Sequence, residues 1–594
     1  MYRAPLKDIQ FALDQVIDTT LLTACPAFAD YSGELAASVL GEAARLAEQV
    51  LDPLYRSADL EGSHWSETGV TTPAGFREAY RQFVAGGWPQ VRAAQQHGGQ
   101  GLPTVLVSAI EELFAAANQA FRLCPMLTQG AIEAIAHCGS PAQQATYLPK
   151  MIAGEWSGTM NLTEPQAGSD LAQVRTRAVP AGDAYRLFGQ KIFITYGEHD
   201  LTDNIVHLVL ARIEGAPAGV KGISLFIVPK FLPDADGRTG ARNDLQCISI
   251  EHKLGIRGSP TCTMVYGQKE GAVGYLLGEA NRGLEYMFVM MNAARLGVGL
   301  EGYAVAEHAY QRALDWARTR IQGRPPGAAT SQPLPIVHHP DVRRMLLTMK
   351  SQVEAMRYLA LYTALQLDLG AHHADAAARA AARTRGELLI PIVKGWCTET
   401  GLEVASLGVQ IHGGMGFIEE TGAAQALRDA RISTIYEGTT GIQALDLTGR
   451  KLAKDDGAAW AALCADIHAE LAALQEAGDG AARVAAAAAG ALATLDAAVA
   501  QLLADMRANP ASGSAVGVPL LRMAGLTLGA WLHARAAAKA RIGLTRPQAD
   551  VAFLQGRLDT ARFYAAQILP QAAALACVVR EGAASVLEAD AALL

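Results

Sequence analysis

The chain lacks several features that would narrow its class. Its eight cysteines (25, 124, 138, 247, 262, 397, 464 and 577) include no C-x-x-C pair. That spacing shows neither a disulfide framework nor a structural zinc site, and it predicts reduced thiols in a cytoplasmic protein. Histidine supplies no ligand pattern either, because His338-His339 and His372-His373 are adjacent. Two ligands on one helix face need i,i+4 spacing, so no metal is expected. Basic charge is not in excess: Lys+Arg 50 against Asp+Glu 58 gives a net −8. A generalised nucleic-acid surface is thereby excluded. The start, MYRAPLKDIQFALDQ, mixes Lys7 and Asp8 into apolar residues and reads as neither a signal peptide nor a transit peptide. No uninterrupted apolar run is long enough to cross a bilayer. The Ala-rich stretch 484–495 lies between Arg483 and Asp496 and reads as a packed helix, so no membrane span is expected.

What is present is a long chain of ordinary globular composition. At 594 residues it exceeds one core, so two to four domains are expected. After an N-terminal extension, residues 1–33, apolar residues recur at helical spacing from 34 to 155 behind Ser32 as a cap candidate. From 156 to 280 the texture changes to short β-branched and aromatic runs such as NIVHLVLARI and GISLFIVPKF, bounded by Gly, Pro and Asp. This predicts an antiparallel β domain. Helical periodicity returns over 281–455, suited to a bundle, and continues as an Ala-rich helical segment over 456–594. The last segment carries no chemical constellation and reads as a packing or dimerisation appendage.

Four segments carry candidate chemistry. In MNLTEPQAGSD (160–170), Pro165 stiffens a turn, Gly168 permits close approach of a flat ligand, and Thr163 and Ser169 can donate hydrogen bonds. A capped Pro/Gly loop fits the same letters. In GQKIFITYG (189–197), strand alternation puts Phe193 and Thr195 on one face and Ile194 on the other, suiting the edge of a ring system. A core Phe with a surface Thr is the plainer alternative. In QIHGGMGFIEE (410–420), Gly413, Gly414 and Gly416 could cradle a nucleotide or simply end a helix. In RDARISTIYEGTTGIQ (428–443), Glu437 stands at a break between Tyr436 and Gly438. Partial desolvation there would raise its pKa toward that of a useful base, whereas a solvated helix end would not.

Taken together, LTEPxAGSD, GxKxxIT, KxGxRxSxT (read here as Lys253 to Thr261), QxxGGxGF and RDAxxxxIYEGT resemble the acyl-CoA dehydrogenase family. They occur in family order over about residues 35 to 450. The N-terminal piece and the helical C-terminal extension resemble a larger subfamily that includes broad-range bacterial and 3-methylmercaptopropionyl-CoA dehydrogenases. The resemblance implies a mainly α fold: a helical domain, a β-barrel domain, a helical bundle and an extra C-terminal helical domain.

It also implies FAD between the β domain and the bundle. Leu162, Thr163, Gly168 and Ser169 would surround the flavin and the thioester end of the substrate, while Phe193, Ile194 and Thr195 flank the ring. Many relatives carry Trp where this chain has Phe193, and Gln where it has Gly441. Arg320 with Gln322 would reach the pyrophosphate of a neighbouring subunit's FAD, and Gln410, Gly413 and Gly414 its adenosine side, implying a homodimer. Thr439 matches an FAD-contacting threonine. Glu437 would remove the α-proton, its backbone N–H and a ribityl hydroxyl stabilising the enolate, as flavin N5 takes the β-hydride to leave a trans-2-enoyl-CoA. Ser169, Asn292, Arg295 and Gly438 would contact the acyl-CoA. Some members carry the base immediately before the Arg matching Arg295; that position is Ala294 here. Electrons would pass to electron-transfer flavoprotein in fatty acid β-oxidation. An acyl-CoA oxidase using dioxygen, and a non-enzymatic DNA-binding or scaffold relative, are the competing readings.

Overall fold

The computed structural model describes residues 1–593 except Ala235, Thr330, Ala477 and Gly478, with no side chain described at Val289, Asn292, Asp479 and Leu593. The chain divides into two compact units. The first comprises Met1–Ala44, Thr104–Ala116 and Val298–Leu594; the second comprises Arg45–Pro103 and Ala117–Gly297. The helix α1 (Thr104–Cys138) is shared out at its break, where Asn118 leaves helical geometry (φ −159°, ψ 89°).

The β-branched runs of the second unit form eight strands in one sheet. These are β1 (Trp156–Asn161), β2 (Arg177–Ala181), β3 (Ala184–Thr195), β4 (Asn204–Ile213), β5 (Ile223–Pro229), β6 (Leu245–Ile250), β7 (Thr261–Tyr266) and β8 (Ala272–Leu277). Strand β2 bonds to both β3 and β4, so β2–β3–β8–β5–β4 close into a ring. Closure satisfies the edges of the strands where they meet in the ring, while the parts of β3 and β4 that run past it stay open to further partners. Outside the ring, β7 pairs with β3, β6 with β7, and β1 with β4.

Six of the eight pairings in this sheet are antiparallel, as expected, and two are parallel. Strand β1 runs parallel to β4 from Trp156↔Asn204 to Asn161↔Val209, and β2 runs parallel to β4 at Arg177↔Arg212 and Ala178↔Ile213. Hairpin-linked strands must be antiparallel, but residues 162–203 give β1 a connection long enough to return in the same direction. Alternate residues of β4 enter different cores. Leu208 and Leu210 join Ile132, Ile135, Leu148 and Met151 on one face, while Val209 and Ala211 join Ile194, Phe226 and Met264 on the other.

The first unit is a helical assembly built on α2 (Gly283–Thr319), which enters it at Val298, with α3 (Pro340–His372), α4 (Ala376–His412) and α5 (Thr440–Leu445). Glycines let α2 and α4 meet backbone to backbone. A Cβ on Gly302 would lie 2.4 Å from the Cys397 carbonyl oxygen, and one on Gly401 only 2.2 Å from that of Gly302.

The Ala-rich segment adds α6 (Ala458–Gln475), α7 (Asp479–Ala508), α8 (Ser512–Leu544), α9 (Val551–Phe563) and α10 (Gln571–Glu581). Helix α8 packs against α3, α4, α5, α7, α9 and α10. Its fit to α4 is tight, for a Cβ on Gly525 would stand 2.2 Å from Trp396 Cγ. The expectation that nothing here could span a bilayer is corrected. By length and composition alone Gly480–Ala508, Ser512–Leu544 and Val551–Glu581 would suffice, because sparse charges at helical spacing leave whole windows apolar on average. In the second of these, 78% of the apolar window is buried inside the protein.

Buried charge also ties this unit together. Arg557 Nη1 sits 2.5 Å from Asp8 Oδ1 and 3.0 Å from Glu354 Oε1, which Lys350 Nζ approaches to 3.2 Å. One helical turn on, Arg357 Nη2 bridges Glu112 at 2.6 Å and Glu307 at 2.9 Å. The eight cysteines are all free, Cys577 alone being exposed.

Candidate active site

In the second unit, the loop leaving β1 turns at Pro165-Gln166, closed by Glu164 N to Ala167 O (3.1 Å) and Ala167 N to Glu164 O (2.9 Å). Ile192 N donates to Thr163 O at 3.0 Å, docking the loop on β3. The carboxylate of Glu164 completes the clamp. Its Oε1 accepts from Lys191 Nζ (2.8 Å), Thr176 N (3.0 Å) and Thr176 Oγ1 (2.6 Å), and its Oε2 from Arg175 N (2.7 Å). Burial pushes this carboxyl up, but the Lys191 ammonium and those hydrogen bonds outweigh it and hold it at about 2. Lys191 also donates to Leu162 O at 2.9 Å. Thr163 and Ser169 stand out in the sequence; Glu164 and Lys191, which fix the loop, do not. Their signal was the single charged residue of GQKIFITYG and the acid before Pro165 in MNLTEPQAGSD, a segment that also ends in Asp170.

The same strand departs from simple alternation. Its pairing to β7 shifts register between Ile194↔Cys262 and Lys191↔Met264. Phe193 stands in that bulge at φ +59°, a conformation rare for a bulky residue, and is 58% exposed. The bulge lets Lys191 and Ile194 both turn inward while Thr195 stays half-buried. Leu162 and Thr163 are half-buried; Gly168 and Ser169 are exposed, and a Cβ on Gly168 would meet nothing in the protein. Arg295 is buried, its guanidinium 5.9 Å from the Phe288 ring centroid, next to buried Ala294. Asn292 lies outside the residues whose side chains are described.

In the first unit, the helix Ala423–Ala430 and a following 3-10 turn, Arg431–Thr434, end in a sharp elbow. Glu437 has φ +55° and Gly438 φ +89°. A left-handed glutamate costs on the order of 1–3 kcal/mol unless its surroundings impose it. Here they do. Lys394 Nζ, on α4 and 0% exposed, donates to Gly438 O at 2.6 Å, and Gln443 Nε2, also 0% exposed, donates to Glu437 O at 3.2 Å. On the other flank the Tyr436 hydroxyl donates to the buried Glu301 carboxylate of α2. Thr439 caps α5, its Oγ1 accepting from Ile442 N at 3.2 Å. The Glu437 side chain is half-buried.

Arg320 and Gln322 are exposed, flanking the bridge between Ile321 and Pro335, with Gln322 N donating to Leu334 O at 3.2 Å. Gln410 is exposed near the end of α4, and Gly413 turns the chain there at φ +63° beside exposed Gly414. Lys394, Gln443 and Glu301 are not recognisable as site residues from the sequence. A lysine inside IPIVKGWC was the one available sign.

Four family models match in chain order. They are the acyl-CoA dehydrogenase N-terminal domain over 38–155, the middle domain over 159–268, the C-terminal domain over 281–452, and an acetyl-CoA dehydrogenase C-terminal-like domain over 463–590. The 3-methylmercaptopropionyl-CoA dehydrogenase of Ruegeria pomeroyi is 48% identical over 96% of this chain and 97% of its own length. A butyryl-CoA dehydrogenase of Syntrophomonas wolfei is 34% identical over 96% and 95%. The solved structure of an acyl-CoA dehydrogenase complexed with FAD from Bacillus anthracis shares the fold, with TM-score 0.70 and 21% identity over 95% of this chain and 91% of that one. The chain belongs to the acyl-CoA dehydrogenase family and is an FAD-dependent oxidoreductase acting on acyl-CoA.

Proposed function

We propose that Glu437 is the base that removes the α-proton of an acyl-CoA thioester, leaving a trans-2-enoyl-CoA. The observation that carries this reading is the half-buried Glu437 carboxylate on a left-handed elbow fixed by buried side chains. An α-proton of a thioester is too weak an acid for a free carboxylate, so the developing enolate oxygen needs preorganised donors. The backbone N–H of Glu437 is one such donor, and each is worth roughly 3–4 kcal/mol. When bound, FAD supplies the acceptor for the hydride leaving the β-carbon.

The residues present suit that cofactor. Exposed Phe193 offers a face to a flat ring, half-buried Leu162 offers an apolar flank, and Thr163, Ser169, Thr195 and Thr439 offer hydroxyls to its heteroatoms. The Ile194 side chain, by contrast, is 2% exposed in the core and can offer only its main chain. Glycine at 168 and 414 is not demanded by packing against the described residues, since a Cβ at either meets none of them, which fits a ligand lying close to the backbone. Exposed Arg320, with Gln322, Gln410, Gly413 and Gly414, is assigned to the phosphate and adenosine end of a second subunit's FAD, making the enzyme a homodimer. Arg295, with Asn292, Ser169 and Gly438, is assigned to the acyl-CoA. Electron-transfer flavoprotein is the proposed electron acceptor, β-oxidation the setting and the cytoplasm the site. Along the sequence, the proposed division is an extension at 1–33, a helical part at 34–155, a β part at 156–280, a bundle at 281–455 and a helical part at 456–594, cutting across the two compact units.

For the acyl group we favour a short linear chain. The 48% identical relative is named for a methylmercaptopropionyl thioester and another full-length relative for a butyryl one. A methylmercaptopropionyl group has the shape of a pentanoyl group with sulfur in place of one methylene. Anaerobic flavin bleaching across a straight-chain acyl-CoA series, with the 3-methylmercaptopropionyl thioester included, should be fastest at four to five chain atoms. A long-chain optimum would refute the assignment. Glu437→Gln should keep FAD yet lose nearly all reduction by substrate; near-normal reduction would remove Glu437 from the mechanism.

A further inference from the structure

We propose that Lys394 and Gln443 are positioning residues that aim the Glu437 carboxylate by holding the two carbonyls of its elbow. The inference rests on the reading of Glu437 as the base.

The geometry is specific. Lys394 projects from α4 with its side chain fully buried, and its ammonium meets the Gly438 carbonyl at 2.6 Å. A buried ammonium is costly to keep, and this one directs a short charge-assisted hydrogen bond to the elbow's main chain. Gln443, equally buried one turn into α5, donates to the Glu437 carbonyl at 3.2 Å and approaches the Gly438 carbonyl at 3.4 Å. Two consecutive peptide oxygens are thus pulled toward the protein interior from two different helices.

The consequence for the side chain between them follows from backbone geometry. Turning both carbonyls inward fixes the peptide planes on either side of the Gly438 Cα and after Glu437. With φ of +55° at Glu437, the Cα–Cβ bond then has one direction open to it. The Tyr436 hydroxyl, bound to the Glu301 carboxylate, stops the preceding residue from rotating back. Through these two main-chain carbonyls, loss of Lys394 or Gln443 should alter the rate of proton removal and leave thioester binding intact.

The test uses the FAD-loaded full-length protein and an acyl-CoA whose β-carbon is replaced by sulfur. Such a thioester has no β-hydride to lose, so exchange of its α-hydrogens with deuterated water reads the base alone. In Lys394→Met we expect exchange to fall ~100-fold, the loss a misplacement of about 1 Å produces, with the dissociation constant of the thioester and the FAD content unchanged. Gln443→Leu is expected to behave alike with a smaller loss, about tenfold, and serves if the first variant does not fold. Glu437→Gln sets the floor. If Glu437→Gln abolishes exchange while both other variants exchange at the wild-type rate, the positioning role is wrong and the base stands. If exchange survives in Glu437→Gln, the base assignment itself falls. If binding, FAD content and exchange drop together in both variants, Lys394 and Gln443 are structural only, and the proposal fails.

Discussion

Lys191 Nζ lies 2.8 Å from Glu164 Oε1, and neither side chain reaches solvent, at 0% and 3% exposed. The pair joins the loop after β1 to the strand that carries Phe193. Removing one partner strands a buried charge, which costs about 3–5 kcal/mol. Lys191→Met should therefore lower the urea midpoint of the β unit and weaken FAD retention together, and adding Glu164→Gln should restore part of the midpoint. A midpoint equal to wild type in Lys191→Met would show that the clamp contributes nothing.

Acid should loosen the same unit. Burial, with Lys230 adding to it, brings His199 and His207 down from 6.5 to about 3. Above pH 6.5 both are neutral in either state and impose no penalty. As pH falls from 6.5 toward 3 the unfolded chain takes up protons that the folded one refuses, so stability is lost, by up to about 2 kcal/mol per histidine at pH 5. Glu164, held at about 2 against an ordinary 4.5, adds its own loss as pH falls below 4.5. Thermal midpoints followed from pH 8 to 4 should be level above 7 and then decline. His207→Asn should make that decline shallower; an unchanged slope would discount the histidine.

Gly438 is expected to tolerate no side chain. Its φ is +89°, and a Cβ would stand 2.7 Å from Gln443 Nε2, displacing the donor that holds the elbow. Gly438→Ala should bind FAD normally and reduce it at least tenfold more slowly with substrate, by stopped-flow absorbance.

The fit of α8 onto α4 gives a stability expectation. Gly525→Ala forces a methyl against the Trp396 ring and should cost about 1–3 kcal/mol by overpacking. Trp396→Ala should cost about 3–5 kcal/mol by leaving a cavity. Denaturant titration of the full chain checks both.

Much of the β domain was legible because β-branched runs such as NIVHLVLARI leave little alternative to a strand buried on both faces. Glycines at 413 and 438 and the break around Glu437 were legible too, since Gly and an interrupted period mark places where a helix stops. The parallel pairing of β1 was not, because nothing local in Trp156–Asn161 distinguishes its partner's direction. The bulge at Phe193 stayed hidden since its letters alternate as an ordinary strand would. Lys394 and Gln443 are seen only when α4 and α5 are packed together; in sequence, 44 residues separate Lys394 from the carbonyl it binds. Asp8 and Arg557 are further apart still.

That last pair has a bearing on how the polypeptide is made. Asp8 and Arg557 are 549 positions apart. At a translation rate of roughly 5–20 residues per second, about half a minute to two minutes pass before the ribosome delivers the arginine. Until then Asp8, and Glu354 once it is made, have only the Lys350 ammonium between them in this cluster. A chain halted before α9 would hold two carboxylates of this cluster against a single ammonium, so the last helices complete a charge balance that the first residues begin.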